Sequence, residues 1–182
     1  MIAFSPPQSK QDKFATLVNS GRPGFFIDIG CSVPEFQSNI IPLWENGWRG
    51  ICVDGQDFSS NWANYKEIKF INHDATNVDW KSIIETPFVV NYASVDVDNA
   101  TFDALKNLLN SGIQMVCATV EHDAYRFGDT LRSKERQIMK EFGYTLVREN
   151  VKSRGCEYED WYVGETVCNI EAIKKEVNTW VE

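Results

Sequence analysis

Two apolar segments that each end close to an acidic residue constrain the fold of this chain more than any other feature. The first is Phe25–Ile29, which contains Asp28 and is followed by Gly30, and the second covers residues 50–53 and ends at Asp54. Apolar runs of this length are typical of buried parallel strands. The spacing from Gly30 to Asp54 suits a βαβ unit whose second strand brings a carboxylate to the hydroxyls of a ribose. We therefore expect both acids at one edge of a parallel sheet.

Strand-like and helix-like patterns alternate through most of the sequence. The spacing of apolar residues predicts strands at 25–29, 50–53, 68–71, 88–97, 114–120, 144–147 and 160–163, and helices at 9–19, 35–46, 62–65, 101–109 and 131–142. Pro42 is expected to kink the second helix. Such alternation predicts an α/β domain with a mostly parallel sheet and right-handed crossovers. A polar connection at 149–159 predicts a C-terminal antiparallel hairpin, and residues 1–182 need no second domain.

The balance of charges argues against a nucleic-acid partner. The chain has 18 basic and 26 acidic residues and a formal net charge of −8, whereas a long contact with a DNA or RNA backbone needs clustered Lys and Arg. The first residues lack the pattern of a signal peptide, and no apolar run approaches membrane-spanning length. We expect a soluble protein that has no membrane partner.

The cysteines indicate a reducing environment. There are five, at positions 31, 52, 117, 156 and 168, with no C-x-x-C pair. An odd number cannot be fully paired within one chain, and the spacing is not that of a disulfide framework. A cytoplasmic location with free thiols is therefore expected.

The turn after the first strand lacks the glycines of a dinucleotide-binding loop. Gly30 is followed by Cys31, Ser32, Val33 and Pro34, so a pyrophosphate would find no G-x-x-G cradle. A ligand with a ribose and no phosphate fits this turn better, and S-adenosylmethionine is such a ligand. The plainer interpretation is a tight strand-to-helix turn with a solvated Asp28.

Acidic residues lie at or just after the end of each of the first five predicted strands. They are Asp28, Asp54, Asp74, Asp96 with Asp98, and Glu121 with Asp123. In a parallel sheet these positions meet at one edge, where like charges repel. The sulfonium and ammonium groups of S-adenosylmethionine, or a divalent cation such as Mg²⁺, would offset that repulsion.

In this order, the motifs resemble the FkbM-like branch of class I S-adenosylmethionine-dependent methyltransferases. The resemblance covers most of the chain and rests on FIDIG at 26–30 with Pro34 and Ser38-Asn39, LWENGWRG at 43–50, VD at 53–54, VDVDN at 95–99, VE at 120–121, FGY at 142–144 and EDWYV at 159–163. The chain departs from the family at Cys31 and Ser32, where smaller residues are common, and at Asp54, where Glu is frequent.

The resemblance implies a Rossmann-like sheet of seven strands that binds the methyl donor at the ends of its first four strands. It further implies a small-molecule acceptor, a sugar or other metabolite, that is methylated on oxygen. Carried over by position, Asp28 and Gly30 approach the amino-acid part of the donor, Asp54 binds the ribose, and Asp74 and Ala75 flank the adenine. The other expected cofactor-binding residues are Cys31, Ser32 and Gly55.

Methyl transfer to a hydroxyl requires alignment of donor and acceptor and removal of a proton. The candidate catalytic residues are Asp96, Glu121 and His122, at the ends of the fourth and fifth strands. Asp96 or His122 could act as general base. Alternatively, Asp96, Asp98 and Glu121 could hold a cation that acidifies the hydroxyl. For Asp98 a helix cap, and for His122 a capping or surface position, are the plainer interpretations.

Two rival functions stay open at this point. A nicotinamide-dependent oxidoreductase could use a similar sheet, although the missing glycines disfavour it. The second rival is a binding module that keeps the methyltransferase fold but catalyses no reaction. The oligomeric state does not follow from these residues.

Overall fold

The computed structural model describes residues 7–84 and 88–180, which form one α/β domain around a seven-stranded sheet. The predicted absence of a signal peptide depends partly on residues 1–6, which lie outside the described residues. Both ends of the predicted domain also lie outside them. The strands are β1 (Phe25–Ile29), β2 (Arg49–Asp54), β3 (Ile68–Asn72), β4 (Val89–Val95), β5 (Gln114–Glu121), β6 (Thr145–Ser153) and β7 (Cys156–Val163).

The strand order is β3-β2-β1-β4-β5-β7-β6. β1 to β5 pair in parallel, and β7 runs antiparallel to both β5 and β6. The predicted fold class, a mostly parallel sheet that ends in an antiparallel hairpin, is therefore confirmed. Because β1 lies between β2 and β4, the chain reverses its direction of progress across the sheet at β1, which opens a crevice at the carboxyl ends of these strands.

Helices cover both faces of the sheet. They are α1 (Gln11–Val18), α2 (Ile41–Glu45), α3 (Ser59–Trp62), α4 (Trp80–Ile83), α5 (Thr101–Asn110), α6 (Ala124–Phe127), α7 (Asp129–Glu141) and α8 (Ile170–Val177), with 3₁₀ turns at Ala75–Asn77 and Asp98–Ala100. No helix in the described part of the chain is long and apolar enough to span a bilayer.

Alternate residues of each parallel strand pack into two separate cores. In β1, Ile27 and Ile29 face a core that includes Leu105 and Leu108 of α5, whereas Phe26 faces a second core that includes Phe14 of α1. Because both faces are covered, these strands consist mostly of apolar residues, and such runs can be recognised in the sequence.

The helix predicted at 35–46 is wrong in its length. Only Ile41–Glu45 is helical, and Pro42 lies in the first turn of α2. Proline is compatible with that position because the first N–H groups of a helix have no intrahelical acceptor. Pro42 therefore does not kink a longer helix, and residues 36–39 instead form a loop that lines the crevice.

The polar connection predicted at 149–159 is also wrong. β6 continues to Ser153, β7 begins at Cys156, and the two strands are joined at Arg154 and Gly155. Both joining residues have a positive φ, 51° and 82°. The hairpin is thus longer than predicted and extends towards the crevice.

Candidate functional site

A cavity of about 470 Å³ lies at the carboxyl ends of β1, β2 and β4. Eight of the predicted site residues line it: Asp28, Gly30, Cys31, Ser32, Asp54, Gly55, Asp96 and Asp98. The acids of the first, second and fourth strands therefore meet at one cavity. Eight further residues, which were not predicted as site residues, also line the cavity: Gln8, Phe36, Gln37, Ser38, Asn39, Gln56, Ser94 and Val97.

Gly30 allows the backbones of β1 and β4 to approach each other at the cavity floor. Its φ is 84°, and a Cβ at this position would lie 1.6 Å from the carbonyl oxygen of Asp96. The Asp96 N–H donates to Ile29 O at 2.9 Å, and the Gly30 N–H donates to Val53 O at 2.8 Å. A side chain cannot be accommodated, so a glycine is required by the close approach as well as by the backbone angle.

Asp54 is held in place by two backbone N–H groups. Oδ2 accepts from Ser32 N at 2.9 Å, and Oδ1 accepts from Gln56 N at 2.8 Å. A carboxylate has about four acceptor positions, so both oxygens keep lone pairs for further donors. This is the geometry that recognition of two neighbouring sugar hydroxyls requires. Cys31, in contrast, is 5% exposed and packs in the core, and burial raises the pKa of its thiol.

Asp28 is a buried carboxyl group beneath the same cavity. Burial is the main reason that its pKa is raised to about 7, and the charges of Asp96 and Asp54 add to the effect, while a hydrogen bond with Ser94 acts against it. Asn39 Nδ2 donates to Ser94 Oγ at 3.0 Å. Asn39 Oδ1 is buried and has no hydrogen-bond partner among the described residues, so it is available to a donor from a ligand.

Asp96 and Glu121 form a pair of hydrogen-bonded carboxyl groups. Burial raises the pKa of Glu121 well above its usual range, and the hydrogen bond and charge of Asp96 raise it further. Burial also raises the pKa of Asp96, but the hydrogen bond from Glu121 counteracts this effect. Glu121 therefore keeps the proton, and its O–H donates the hydrogen bond to Asp96. This is expected because two acids at short range cannot both ionise.

A second cavity, of about 190 Å³, adjoins the first. Glu121, Asp123, Tyr125 and Tyr158 contribute to its walls, and Gln8 and Gln37 line both cavities. Glu121 Oε2 and Asp123 Oδ1 are buried atoms without a hydrogen-bond partner among the described residues. Because Asp96 lines the larger cavity and Glu121 the smaller one, the carboxyl pair lies between them.

The residues predicted to hold a metal ion do not form a metal site. Asp98 is an exposed residue whose carboxylate pairs with Arg126, which also contacts Asp123 at 2.9 Å. No group of three or more His, Cys, Asp or Glu side chains within residues 7–84 and 88–180 is arranged to hold a metal. The donor set present therefore does not fit a bound Mg²⁺.

His122 lies beneath the site and outside the walls of both cavities. It is 1% exposed, and its Nδ1 accepts the Ala124 N–H at 3.1 Å. Its Nε2 lies 3.7 Å from Asp160 Oδ1. With one ring nitrogen occupied as an acceptor, the neutral imidazole carries its proton on the other, and no lone pair is left to accept a proton from a substrate.

Asp74 and Ala75 also lie outside the walls of the described cavities. Asp74 caps the 3₁₀ turn after β3, where Oδ1 accepts from Thr76 N at 2.9 Å and Thr76 Oγ1 at 2.8 Å. The backbone hydrogen bond from Thr76 is the main reason that the pKa of Asp74 is lowered. Ala75 is buried in the core. The part of these residues in adenine binding stays a prediction.

The sequence matches no protein-family model and no curated protein. Solved structures with similar architecture are nevertheless numerous. An O-methyltransferase from Bacillus cereus, in complex with S-adenosylhomocysteine, is 13% identical over 86% of this chain and 80% of that chain, with a TM-score of 0.59. The S-adenosylhomocysteine-bound methyltransferase PaMTH1 from Podospora anserina is 10% identical over 86% of this chain and 78% of that chain, with a TM-score of 0.61.

A third similar structure is the 1,6-didemethyltoxoflavin-N1-methyltransferase of Burkholderia thailandensis, with bound 1,6-didemethyltoxoflavin and S-adenosylhomocysteine. It is 12% identical over 86% of this chain and 78% of that chain, with a TM-score of 0.55. At such identities the likeness shows the fold alone, and the FkbM-like assignment stays a prediction. The chain has the Rossmann-like α/β fold of S-adenosylmethionine-dependent methyltransferases.

Proposed function

We propose that this protein is an S-adenosylmethionine-dependent methyltransferase that methylates a hydroxyl group of a small molecule. The observation that carries the proposal is the cavity at the β1/β4 crevice, in which Asp28, Gly30 and Asp54 meet. This crevice is where ligands bind in open α/β sheets. The similar folds with bound S-adenosylhomocysteine support the same conclusion.

The chemistry of the cavity suits this donor. S-adenosylmethionine, when bound, supplies a methyl group on a positively charged sulfur that is open to attack by a nucleophile. In our proposal Asp28 and Asn39 Oδ1 receive its ammonium group, and Asp54 accepts hydrogen bonds from the ribose hydroxyls. Gly30, Cys31, Ser32 and Gly55 provide the backbone around it, as the sequence predicts. The absence of a G-x-x-G turn is no obstacle, because this donor has no phosphate.

Asp96 is the general base of the proposed reaction. It is the group of the pair that ionises first, because Glu121 holds the shared proton more strongly, and it lines the larger cavity. The acceptor hydroxyl loses its proton to Asp96 as its oxygen bonds to the methyl carbon and the carbon–sulfur bond breaks. A carboxylate whose pKa is raised by burial is a better base near neutral pH than a solvated one. Glu121 keeps Asp96 in position.

Neither His122 nor a metal ion takes part in the reaction that we propose. His122 uses its acceptor nitrogen in the hydrogen bond from Ala124. The Asp96, Asp98 and Glu121 set does not fit a metal because Asp98 is paired with Arg126 and the described residues contain no group of three His, Cys, Asp or Glu side chains arranged to hold one.

Isothermal titration calorimetry with S-adenosylmethionine, S-adenosylhomocysteine and NAD tests the proposal. We expect both adenosyl compounds to bind in the micromolar range or tighter and NAD to bind at least about 100-fold more weakly, because the turn after β1 has no place for a pyrophosphate. Tighter binding of NAD would indicate an oxidoreductase instead. Binding of the donor without methyl transfer to any of a panel of hydroxyl compounds would indicate a binding module.

A further inference from the structure

A third cavity, of about 540 Å³, is distinguished by its positive charge. Four of its lining residues are basic, and none of the described residues that line it is acidic: Pro7, Gln8, Ser9, Lys10, Arg148, Lys152, Ser153, Arg154 and Gly155. This collection of cations lies in a chain whose formal net charge is −8. Like charges gathered in a concave surface raise the local concentration of anions.

The walls of this basic cavity are held by specific contacts. Ser9 Oγ donates to Lys152 O at 2.7 Å, which ties the segment before α1 to strand β6. Arg148 is 7% exposed. Its guanidinium donates to Trp180 O at 3.0 Å and stacks over the Trp161 ring, with Cζ 5.0 Å from the ring centroid. The cavity is therefore built from the packed N-terminal segment and the hairpin, with one cation fixed in its wall.

Lys152 and Arg154 supply the more accessible charges. Both are exposed, and neither forms an ion pair with any carboxylate in the part of the chain that the structure describes. Arg154 occupies the turn of the hairpin with a φ of 51°. Its planar guanidinium can donate two parallel hydrogen bonds to a phosphate or carboxylate, while Lys152 offers a point charge beside it.

The basic cavity adjoins the proposed site of reaction. Ser153 and Arg154 line both the basic cavity and the smaller acidic cavity that contains Glu121. Gln8 lines these two cavities and also the cavity of about 470 Å³ in which we propose that the donor binds, here called the donor cavity. A molecule anchored at Arg154 can therefore extend past Glu121 towards Asp96.

We propose that the methyl acceptor carries a phosphate or carboxylate group that binds in the basic cavity while its hydroxyl is presented to Asp96. This inference rests on the proposed function, since it names the class of acceptor for the same site. Anion binding at one end fixes the orientation of the hydroxyl at the other, which is how binding energy is converted into alignment for in-line transfer. The acid-lined middle of the path disfavours a second anionic group near the reacting oxygen.

Calorimetric titration with inorganic phosphate and with acetate, at constant ionic strength, tests the anion site directly. The double variant Lys152→Gln/Arg154→Gln should weaken phosphate binding by at least about tenfold, because two of the cations are removed. Lys106→Gln is the matched control: Lys106 is exposed on α5 and lines none of the described cavities, and its loss should leave phosphate affinity unchanged within about twofold. Comparison of the affinities for acetate and for phosphate shows whether the cavity binds a carboxylate or a phosphate more tightly.

The same variants separate this inference from the proposed function. S-adenosylhomocysteine should bind the double variant with an affinity within about twofold of the unchanged protein. Methyl transfer to ribose 5-phosphate or a similar sugar phosphate should exceed transfer to ribose, and the double variant should remove that preference. Phosphate affinity that is equal in the two variants would overturn the anion site, even where the donor binds. Failure of the donor to bind, with phosphate binding intact, would overturn the methyltransferase and leave the anion site.

Discussion

Asp96 and Glu121 share one proton between two carboxyl groups that face different cavities. The short distance between the two groups makes double ionisation costly, so Glu121 keeps its proton after Asp96 has ionised. The negative charge then lies on Asp96, next to the cavity proposed for the donor. In the proposed reaction, the pair thus combines a base, Asp96, with a neighbour that keeps it in place, Glu121.

Exchange of each acid for its amide should have unequal effects. Asp96→Asn removes the base and should lower kcat by at least about 100-fold, whereas Glu121→Gln keeps a neutral hydrogen-bond donor to Asp96 and should lower it by less than about tenfold. The measurement is the rate of S-adenosylhomocysteine formation with a panel of sugar phosphates. Equal losses in both variants, or full activity of Asp96→Asn, would contradict the assignment of the base.

Asp54→Ala should weaken binding of S-adenosylhomocysteine by at least about tenfold, or about 1.4 kcal/mol. The variant removes the acceptor that we propose for two ribose hydroxyls and also frees the N–H groups of Ser32 and Gln56. Asp57→Ala is the control. Asp57 is a nearby exposed acid whose carboxylate accepts a hydrogen bond from Ser59 N and does not line the donor cavity. An affinity of Asp54→Ala within about twofold of the unchanged protein would remove Asp54 from the site.

The parallel strands and their acids could be predicted because burial on both faces leaves an apolar run that ends abruptly. Asp28 and Asp54 follow that rule, and the structure brings them to one cavity. The hairpin could not be predicted in the same way. β6 lies at the edge of the sheet, so exposed polar residues such as Lys152 alternate with buried Val151 and conceal the strand.

Only some of the loop residues at the site could be predicted from the sequence. Gln8 lines all three cavities, and its neighbour Ser9 is tied to β6 by a contact across 143 positions. Asn39 appeared in the motifs, but its role depends on Ser94, which β4 supplies. His122 was selected for its residue type, whereas the direction of its ring depends on the backbone of Ala124. Such contacts are tertiary, and local spacing does not encode them.

Two glycines at the donor cavity should respond differently to the addition of a methyl group. Gly30→Ala places a Cβ 1.6 Å from the Asp96 carbonyl oxygen at a φ of 84°, and should lower the free energy of unfolding by roughly 3 kcal/mol or more. A Cβ at Gly55 meets no heavy atom within 4 Å, so Gly55→Ala should be close to neutral in stability. Chemical denaturation measures both; a stable Gly30→Ala would show that the two strands can separate at this point.

Binding of S-adenosylmethionine should become tighter as the pH rises from about 5 to about 7. The pKa of Asp28 is raised to about 7 in the empty cavity, chiefly by burial, and the ammonium of the donor favours the ionised form. Below that pKa, each pH unit should weaken binding by up to about tenfold, because a proton must be released. In Asp28→Asn the affinity should be lower at pH 7 and nearly independent of pH. A wild-type affinity that is constant over this range would exclude Asp28 as the partner of the ammonium group.

The stability of the ligand-free protein should fall as the pH rises from about 5 to about 8. Burial raises the pKa of Glu135 and of Glu159 to about 8, while in the unfolded chain both ionise near about 4.3. The folded state therefore holds more protons across this window, and stability decreases with pH. Asp160 acts in the opposite sense: burial tends to raise its pKa, but the neighbouring His122 ring and the hydrogen bonds from Arg136 lower it to about 2, so its contribution is lost only as the pH falls below about 4.

Glu135→Gln tests how much the proton of Glu135 contributes to the pH dependence of stability. Glu135 is 2% exposed on α7 and lines none of the described cavities, and its Oε1 has no hydrogen-bond partner among the described residues. Its amide variant cannot ionise, so it should be more stable than the unchanged protein at pH 8 by about 1–3 kcal/mol and similar to it at pH 5. Because the variant changes no residue of the proposed site, S-adenosylhomocysteine affinity serves as the internal control. Denaturation curves that differ equally at both pH values would mean that Glu135 acts through packing and not through its proton.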